Sequence, residues 1–243
     1  MEGKDLTDFI QGLEKCDYRD GQLLYDIEGV FHNYCLHEIF EKINLEAEDI
    51  EKELYNIVMQ IPIMKKISIV LDVDFAKIIG CYMHDKDKYI GKMKSNFSDD
   101  AMNYIVRGLY ECEEYDNYEK FKENLNSIRN NVIKSNLSEV EKYAICSACS
   151  VWMYSAHYWF YDSLLFKTGT KALISDKDKE KIKDIVKSDG LSASIGMIGL
   201  AVVAGVVSGP VGWAVLVGVG AEAAVSSAIT AIEIYNKDKK SQN

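Results

Sequence analysis

The sequence predicts an all-α protein, a multi-helix bundle followed by a C-terminal Gly/Ala-rich apolar helical hairpin. Three observations carry that prediction. Apolar residues recur at three- and four-residue spacing along most of the chain. Only one stretch alternates like a strand, and no second such run exists to pair with it. Residues 191–221, LSASIGMIGLAVVAGVVSGPVGWAVLVGVGA, carry no charge, and Glu222 is the only charge before Glu233.

Taken in order, residues 4–15 hold Leu6, Phe9, Ile10 and Leu13, the stripe of a short amphipathic helix. Asp20 or Gly21 opens a longer one to about Ile43, with Leu23, Leu24, Ile27, Val30, Phe31, Tyr34 and Ile39 as its apolar face. Glu48–Gln60 repeats the pattern, and Pro62 ends it or opens the next helix. Lys66–Ile79 fits a strand through Ile67, Ile69, Leu71, Val73 and Phe75. It fits a helix equally well through Ile63, Ile67, Leu71, Phe75, Ile78 and Tyr82, and the missing strand partner decides for helix. A polar connector begins at His84.

Ser98 starts a helix to about Glu114, and Asn117–Ser135 forms another. Ser138 and Glu141 make a capping box for a helix from Glu139 to about Phe166. Between Lys142 and Asp162 that helix reads YAICSACSVWMYSAHYWFY, without Asp, Glu, Lys or Arg, and predicts burial on every side. After Thr168-Gly-Thr, Ser175 caps a charged helix, Asp176–Lys187. Ser188-Asp189-Gly190 then leads into the hairpin. The predicted division is therefore a helical domain over 1–189 and a hydrophobic hairpin with a short basic tail over 190–243.

Within the hairpin, Ser208-Gly209-Pro210 separates two arms, since proline lacks the donor N–H and clashes with the preceding turn. At a 1.5 Å rise the arms span about 27 and 33 Å, near the roughly 30 Å of a bilayer's hydrocarbon core. Ala201, Gly205 and Gly209 in one arm, and Ala214 with Gly218 in the other, place side-chain-poor stripes where two helices can approach closely. Gly218, Glu222 and Ser226 share a face, so the Glu222 carboxylate is expected to point at the other arm. The alternative is a second arm that ends earlier or packs on protein, leaving Glu222 at a wet edge. Pro210 and Trp213 sit at the tip, Trp213 as an interfacial anchor.

Whole-chain numbers bound the function. The net charge of −10 lies entirely in residues 1–60, which hold 5 Lys/Arg against 15 Asp/Glu. That balance argues against nucleic acid, whose phosphates need a basic face. Six cysteines without framework spacing suit buried thiols in a reducing compartment. The first residues, Met-Glu-Gly-Lys-Asp-Leu-Thr-Asp-Phe-Ile, lack the charge and apolar run of a signal peptide. The expectation is synthesis in the cytoplasm, with membrane association through residues 191–232.

Catalytic constellations are sparse. Cys146-Ser-Ala-Cys149 is a C-x-x-C two turns into an apolar helix, away from the N-terminus that activates a redox thiol, so it reads as core packing. His157 on the same helix reads as a core histidine. Asp72-Val-Asp74 has the D-x-D spacing of a metal–sugar site, which requires a strand end in an α/β sheet. No phosphate-loop, dinucleotide, nucleophile-elbow or H-E-x-x-H pattern occurs. No cofactor, metal or enzymatic activity is predicted.

Residues 138–235, from EVEKYAICSACSVWMYSAHYWFYDS through the apolar tail, resemble bacteriocin-like glycine-zipper proteins of Bacteroidetes. The resemblance implies membrane insertion and no catalytic residues. Together these features favour a membrane-active or membrane-associated protein whose partner is a lipid bilayer, or a protein that covers the hairpin, with oligomers forming through the hairpin. The competing reading is a soluble all-α interaction protein that buries the hairpin in its own core.

Overall fold

The computed structural model describes residues 26–70, 74–85, 91, 96–115, 117–163, 175–204 and 209–242. All regular structure among them is helical. The helices are α1 (Ile27–Lys42), α2 (Ile50–Gln60), α3 (Pro62–Val70), α4 (Phe75–His84), α5 (Asp99–Glu113), α6 (Tyr118–Ile133), α7 (Glu139–His157), α8 (Asp176–Ala204) and α9 (Gly209–Gln242). A π-helical turn, Tyr158–Asp162, extends α7. The predicted helix over 4–15, the start of the second helix at Asp20 or Gly21, Asp72 and the Thr168-Gly-Thr segment lie outside the described residues.

Side-chain caps fix most helix starts. Asp49, Asp74, Ser98, Asn117, Ser138 and Ser175 each accept the backbone N–H three residues on, which satisfies a donor the helix itself leaves unpaired. Asp74 accounts for one departure from the sequence reading. The predicted helix is two, Pro62–Val70 and Phe75–His84, because Asp74 is a cap and not part of an apolar strand or helix interior.

Two more departures concern α7 and α8. The α-helical part of α7 stops at His157, and the π turn closes when Ser163 N donates to the Tyr158 carbonyl at 2.7 Å. The predicted break at Ser188-Asp189-Gly190 is absent: α8 is continuous from its charged start to Ala204. Trp152 of α7 explains how a mid-helix glycine is accommodated there. Its indole lies against both Gly190 of α8 and Gly108 of α5, where any Cβ would collide with the ring. Packing of a fully buried tryptophan outweighs the roughly 1 kcal/mol that glycine costs in a helix.

Two helices form the interior. α7 contacts α1, α5, α6, α8 and α9, and every residue from Ala144 to Met153 is buried, as its uncharged sequence predicts. α9 contacts α1, α3, α4, α7 and α8, and all residues from Val217 to Ile232 are buried. α8 and α9 run antiparallel, with Asp189 beside Ser227, Ser192 beside Ser226, and Gly196 beside Glu222. Toward the end of α9, Asp238 pairs with Lys177 and Lys181 near the start of α8, and Lys239 pairs with Glu46 in the α1–α2 loop.

Among the described residues, one helix, Val217–Lys239, is long and apolar enough to cross a membrane, and 83% of its most apolar window is buried inside the fold.

Candidate functional site

The most unusual feature is a polar seam inside the core, where α1, α7, α8 and α9 meet. It begins on α1. Glu28 and His32, four residues apart, share the face that carries Cys35, Leu36 and Ile39 into the interior. The sequence reading places Val30 and Tyr34 on that face, and both are exposed. The helix is rotated because Gly220 of α9 packs on the backbone of Glu28, so closely that a Cβ on Gly220 would collide with the Glu28 carbonyl oxygen.

Serines of α7 receive these groups. Ser147 Oγ donates to Glu28 Oε1 at 2.6 Å, and Gly29 N donates to Ser150 Oγ at 3.2 Å. One turn further, Asn33 Nδ2 donates to the Tyr154 carbonyl at 2.9 Å. Burial pushes the Glu28 carboxyl up to about 8, against the opposing pull of the Ser147 bond and of Arg129. Its second oxygen, Oε2, is buried without a hydrogen-bond partner.

The centre of the seam is Asp189, fully buried on α8. Its Oδ2 accepts from Ser155 Oγ of α7 at 2.5 Å and from Ser227 Oγ of α9 at 2.6 Å. His32 Nε2 lies 3.3 Å from the same oxygen, at ion-pair distance but outside hydrogen-bond geometry. Trp159 Nε1, in the π turn, donates to Ser227 Oγ at 3.1 Å. One carboxylate oxygen therefore gathers groups from three other helices. Ser192 and Ser226 extend the seam along the α8–α9 contact, their hydroxyls 2.8 Å apart.

Ser, His and Asp side chains together invite comparison with a nucleophilic triad. Such a triad needs the imidazole between serine and carboxylate, so that it can take the hydroxyl proton. Here the order is inverted: Asp189 stands between His32 and both serines, and the other imidazole nitrogen, Nδ1, faces Asn33 Oδ1 at 3.0 Å. The arrangement clamps helices together rather than activating a hydroxyl. No group of three metal-ligating side chains occurs among the described residues.

The predicted site residues fall in different parts of the fold. Glu222 is buried, and its carboxylate lies against Gly196 of the neighbouring helix, 2.8 Å from where a Cβ would stand; the arm packs on protein, as the alternative had it, but leaves Glu222 at no wet edge. Gly218 is buried in α9. Ala201 lies in α8, and Gly209, Pro210 and Trp213 lie in the first turns of α9, with side chains outside the described set; Gly205 is outside it altogether. Proline at the second position of α9 suits a helix start, where its missing N–H costs nothing.

Cys146 and Cys149 are free, buried thiols that burial holds well above the ordinary range, Cys149 at about 12, which is the chemistry of core packing. His157 is not a core residue. It is about half exposed, flanked by Tyr118 and Tyr161, with Nδ1 2.8 Å from Asp162 Oδ2 across the π turn. Glu28, His32, Ser155, Asp189 and Ser227 are not found as a set by reading the sequence. A signal is nonetheless present in the serines of α7, which recur inside an uncharged helix where hydroxyls need partners.

The surface offers an open groove of about 630 Å3 between the starts of α5 and α7. Its acidic wall is Glu141, whose two carboxylate oxygens accept the N-cap backbone N–H groups of Ser98 and Ser138 at 2.9 and 3.1 Å. One side chain thus satisfies two helix starts. Partial desolvation works against ionisation, but the Ser98 hydroxyl, these backbone bonds and the Ser138 hydroxyl hold the carboxyl down at about 2.

No protein-family model, curated protein or solved structure matches this chain.

Proposed function

We propose that this is a non-catalytic helical protein that carries a membrane-competent apolar hairpin, α8–α9, packed inside its own bundle, with a lipid bilayer as the eventual acceptor. One observation carries the reading. A helix of membrane-spanning length and composition has its residues 217–232 covered on all sides by the rest of the chain. Such a helix is compatible with water only while α1, α3, α4, α7 and α8 cover it. The seam supports the same reading. Buried polar and ionic contacts hold partners in register, yet they add less net stability than apolar packing of the same volume. They suit a fastening that can be undone.

A second reading is supported by the pairing of the hairpin's own polar groups. Asp189, Ser192, Ser226 and Ser227 all find partners inside the fold. In a bilayer Asp189 alone would cost roughly 2.5–3.5 kcal/mol near the centre of the hydrocarbon core. That favours a soluble interaction protein whose hairpin is permanent core.

Flotation with phosphatidylcholine–phosphatidylglycerol vesicles separates the two. The membrane reading expects full-length protein to float with the vesicles and residues 217–232 to become protected from added protease. Protein that stays in the aqueous fractions at every lipid ratio overturns it and leaves the soluble reading standing.

A further inference from the structure

Resting on that reading, we infer that the contact between α1 and α9 is a proton-controlled latch: the bundle grips α9 while Glu28 is protonated and loosens as that proton leaves. The geometry supplies the reason. Glu28 is fully buried, with one oxygen on Ser147 and the other without a partner. The protonated form leaves one O–H without an acceptor but carries no buried charge. As a carboxylate it requires several donors, and the described residues give it the Ser147 hydroxyl and its own backbone N–H, with none on Oε2. Water reaches it only if α1 parts from α7 or from α9. The crossing at Gly220, where the α9 backbone rests on the backbone of Glu28, couples such a movement to the apolar helix directly.

The groups around Glu28 relieve its charge only in part. On α1 itself, Asp26 opposes ionisation and His32 one turn on faces Asp189. Arg129 of α6 favours ionisation, but its Nη1 is committed to Asp26 at 2.7 Å. From α7, Tyr143 and Cys146 are kept neutral by burial. From α8, Asp189 is a second buried acid, and Glu222 of α9 lies against Gly196 instead.

Linkage sets the sign. Glu28 has its ordinary value, near 4.5, in any state that hydrates it, and about 8 in the closed fold. Its contribution to closure is complete below the lower value and is lost as pH rises through the upper one. The latch opens on the alkaline side, opposite to the acid-driven release that protonation of a membrane-bound carboxylate would suggest.

The test is hydrogen exchange of peptides from residues 217–232 in the full-length protein without lipid, from about pH 5 to about pH 9, corrected for intrinsic exchange. One-proton linkage predicts an opening equilibrium that grows about tenfold per pH unit and levels off near pH 8. In Glu28→Gln the slope disappears. Ser147→Ala, which removes a donor to the carboxylate, moves the levelling point to higher pH and keeps the test available should Glu28→Gln not fold. A flat wild-type profile, an unchanged slope in Glu28→Gln, or an unmoved levelling point in Ser147→Ala overturns the latch. Vesicle flotation over the same pH series is read separately. Opening without uptake sustains the latch and rejects the bilayer as acceptor, whereas uptake without pH-dependent opening rejects the latch alone.

Discussion

The carboxylate of Asp189 and the hydroxyl of Ser227 lie 2.6 Å apart, joining α8 to α9 at the depth of the core, and the same hydroxyl accepts the indole N–H of Trp159. Ser227 is thus the hinge-pin of the seam, both donor and acceptor. Ser227→Ala removes both contacts at once in a site that excludes water, so a loss of about 1–3 kcal/mol is expected. Ser192→Ala, whose hydroxyl meets Ser226 and the Ser188 carbonyl, serves as a comparison of ordinary size. Urea denaturation of both variants checks the order; equal midpoints would remove Ser227 from its central place.

Gly190→Ala drives a methyl group into the Trp152 ring, a rigid neighbour with no free end to swing away. Overpacking of this kind costs about 1–3 kcal/mol, and Trp152→Ala alone about 3–5 kcal/mol through the cavity it leaves. Because both act on the same space, the double variant is expected to be more stable than the sum of the two losses implies. A double-mutant cycle by thermal denaturation with simple additivity would contradict the contact.

Acid acts on Glu141. Its carboxyl sits at about 2 in the fold against an ordinary 4.5, so its stabilising contribution is present above 4.5 and drains away as pH falls toward 2. Glu141→Gln should remove that acid-side slope and leave the alkaline side unchanged. A stability profile between about pH 5 and pH 2, read by circular dichroism, decides it; parallel curves for the two proteins would refute the assignment.

Among the described residues four thiols are buried, Cys35, Cys112, Cys146 and Cys149, and burial holds them above their ordinary range. Native protein at about pH 5, where Glu28 keeps α1 closed, should leave all four unmodified for hours by a dipyridyl disulfide, which reacts in acid, and denaturant should expose them together. Mass spectrometry of the labelled protein tests this. Rapid modification of Cys146 or Cys149 alone would mean that α7 is reached from solvent without unfolding.

What can be read in the sequence divides along a physical line. Fold class, the caps at Ser98, Asn117, Ser138 and Ser175, and the buried character of α7 are legible, because each depends on residues within a turn or two of one another. Glu28 and His32 are not. An acid and a histidine on a helix read as its wet side, and their burial comes from α7, α8 and α9, all more than 100 residues later in the chain. Asp189 is hidden for a related reason. Ser-Asp-Gly is linker chemistry when alone, and only Trp152, filling the notch at Gly190, makes it helix interior. Glu222 is legible against the opposite helix because the four-residue spacing of Gly218, Glu222 and Ser226 is itself local.

The π turn at Tyr158–Asp162 has an evolutionary consequence. A π turn is an α-helix that has accepted one surplus residue, and it is often retained where removing that residue would disturb a working contact. Each residue of an α-helix advances the chain by about 100°. Deleting one position between Tyr158 and Asp162 would restore a regular helix and swing the downstream residues by that angle. If Trp159 turned with them, the indole would leave Ser227. The surplus residue ties the length of α7 to the identity of a serine on α9, so the two segments are expected to tolerate insertions, deletions and replacements only as a pair.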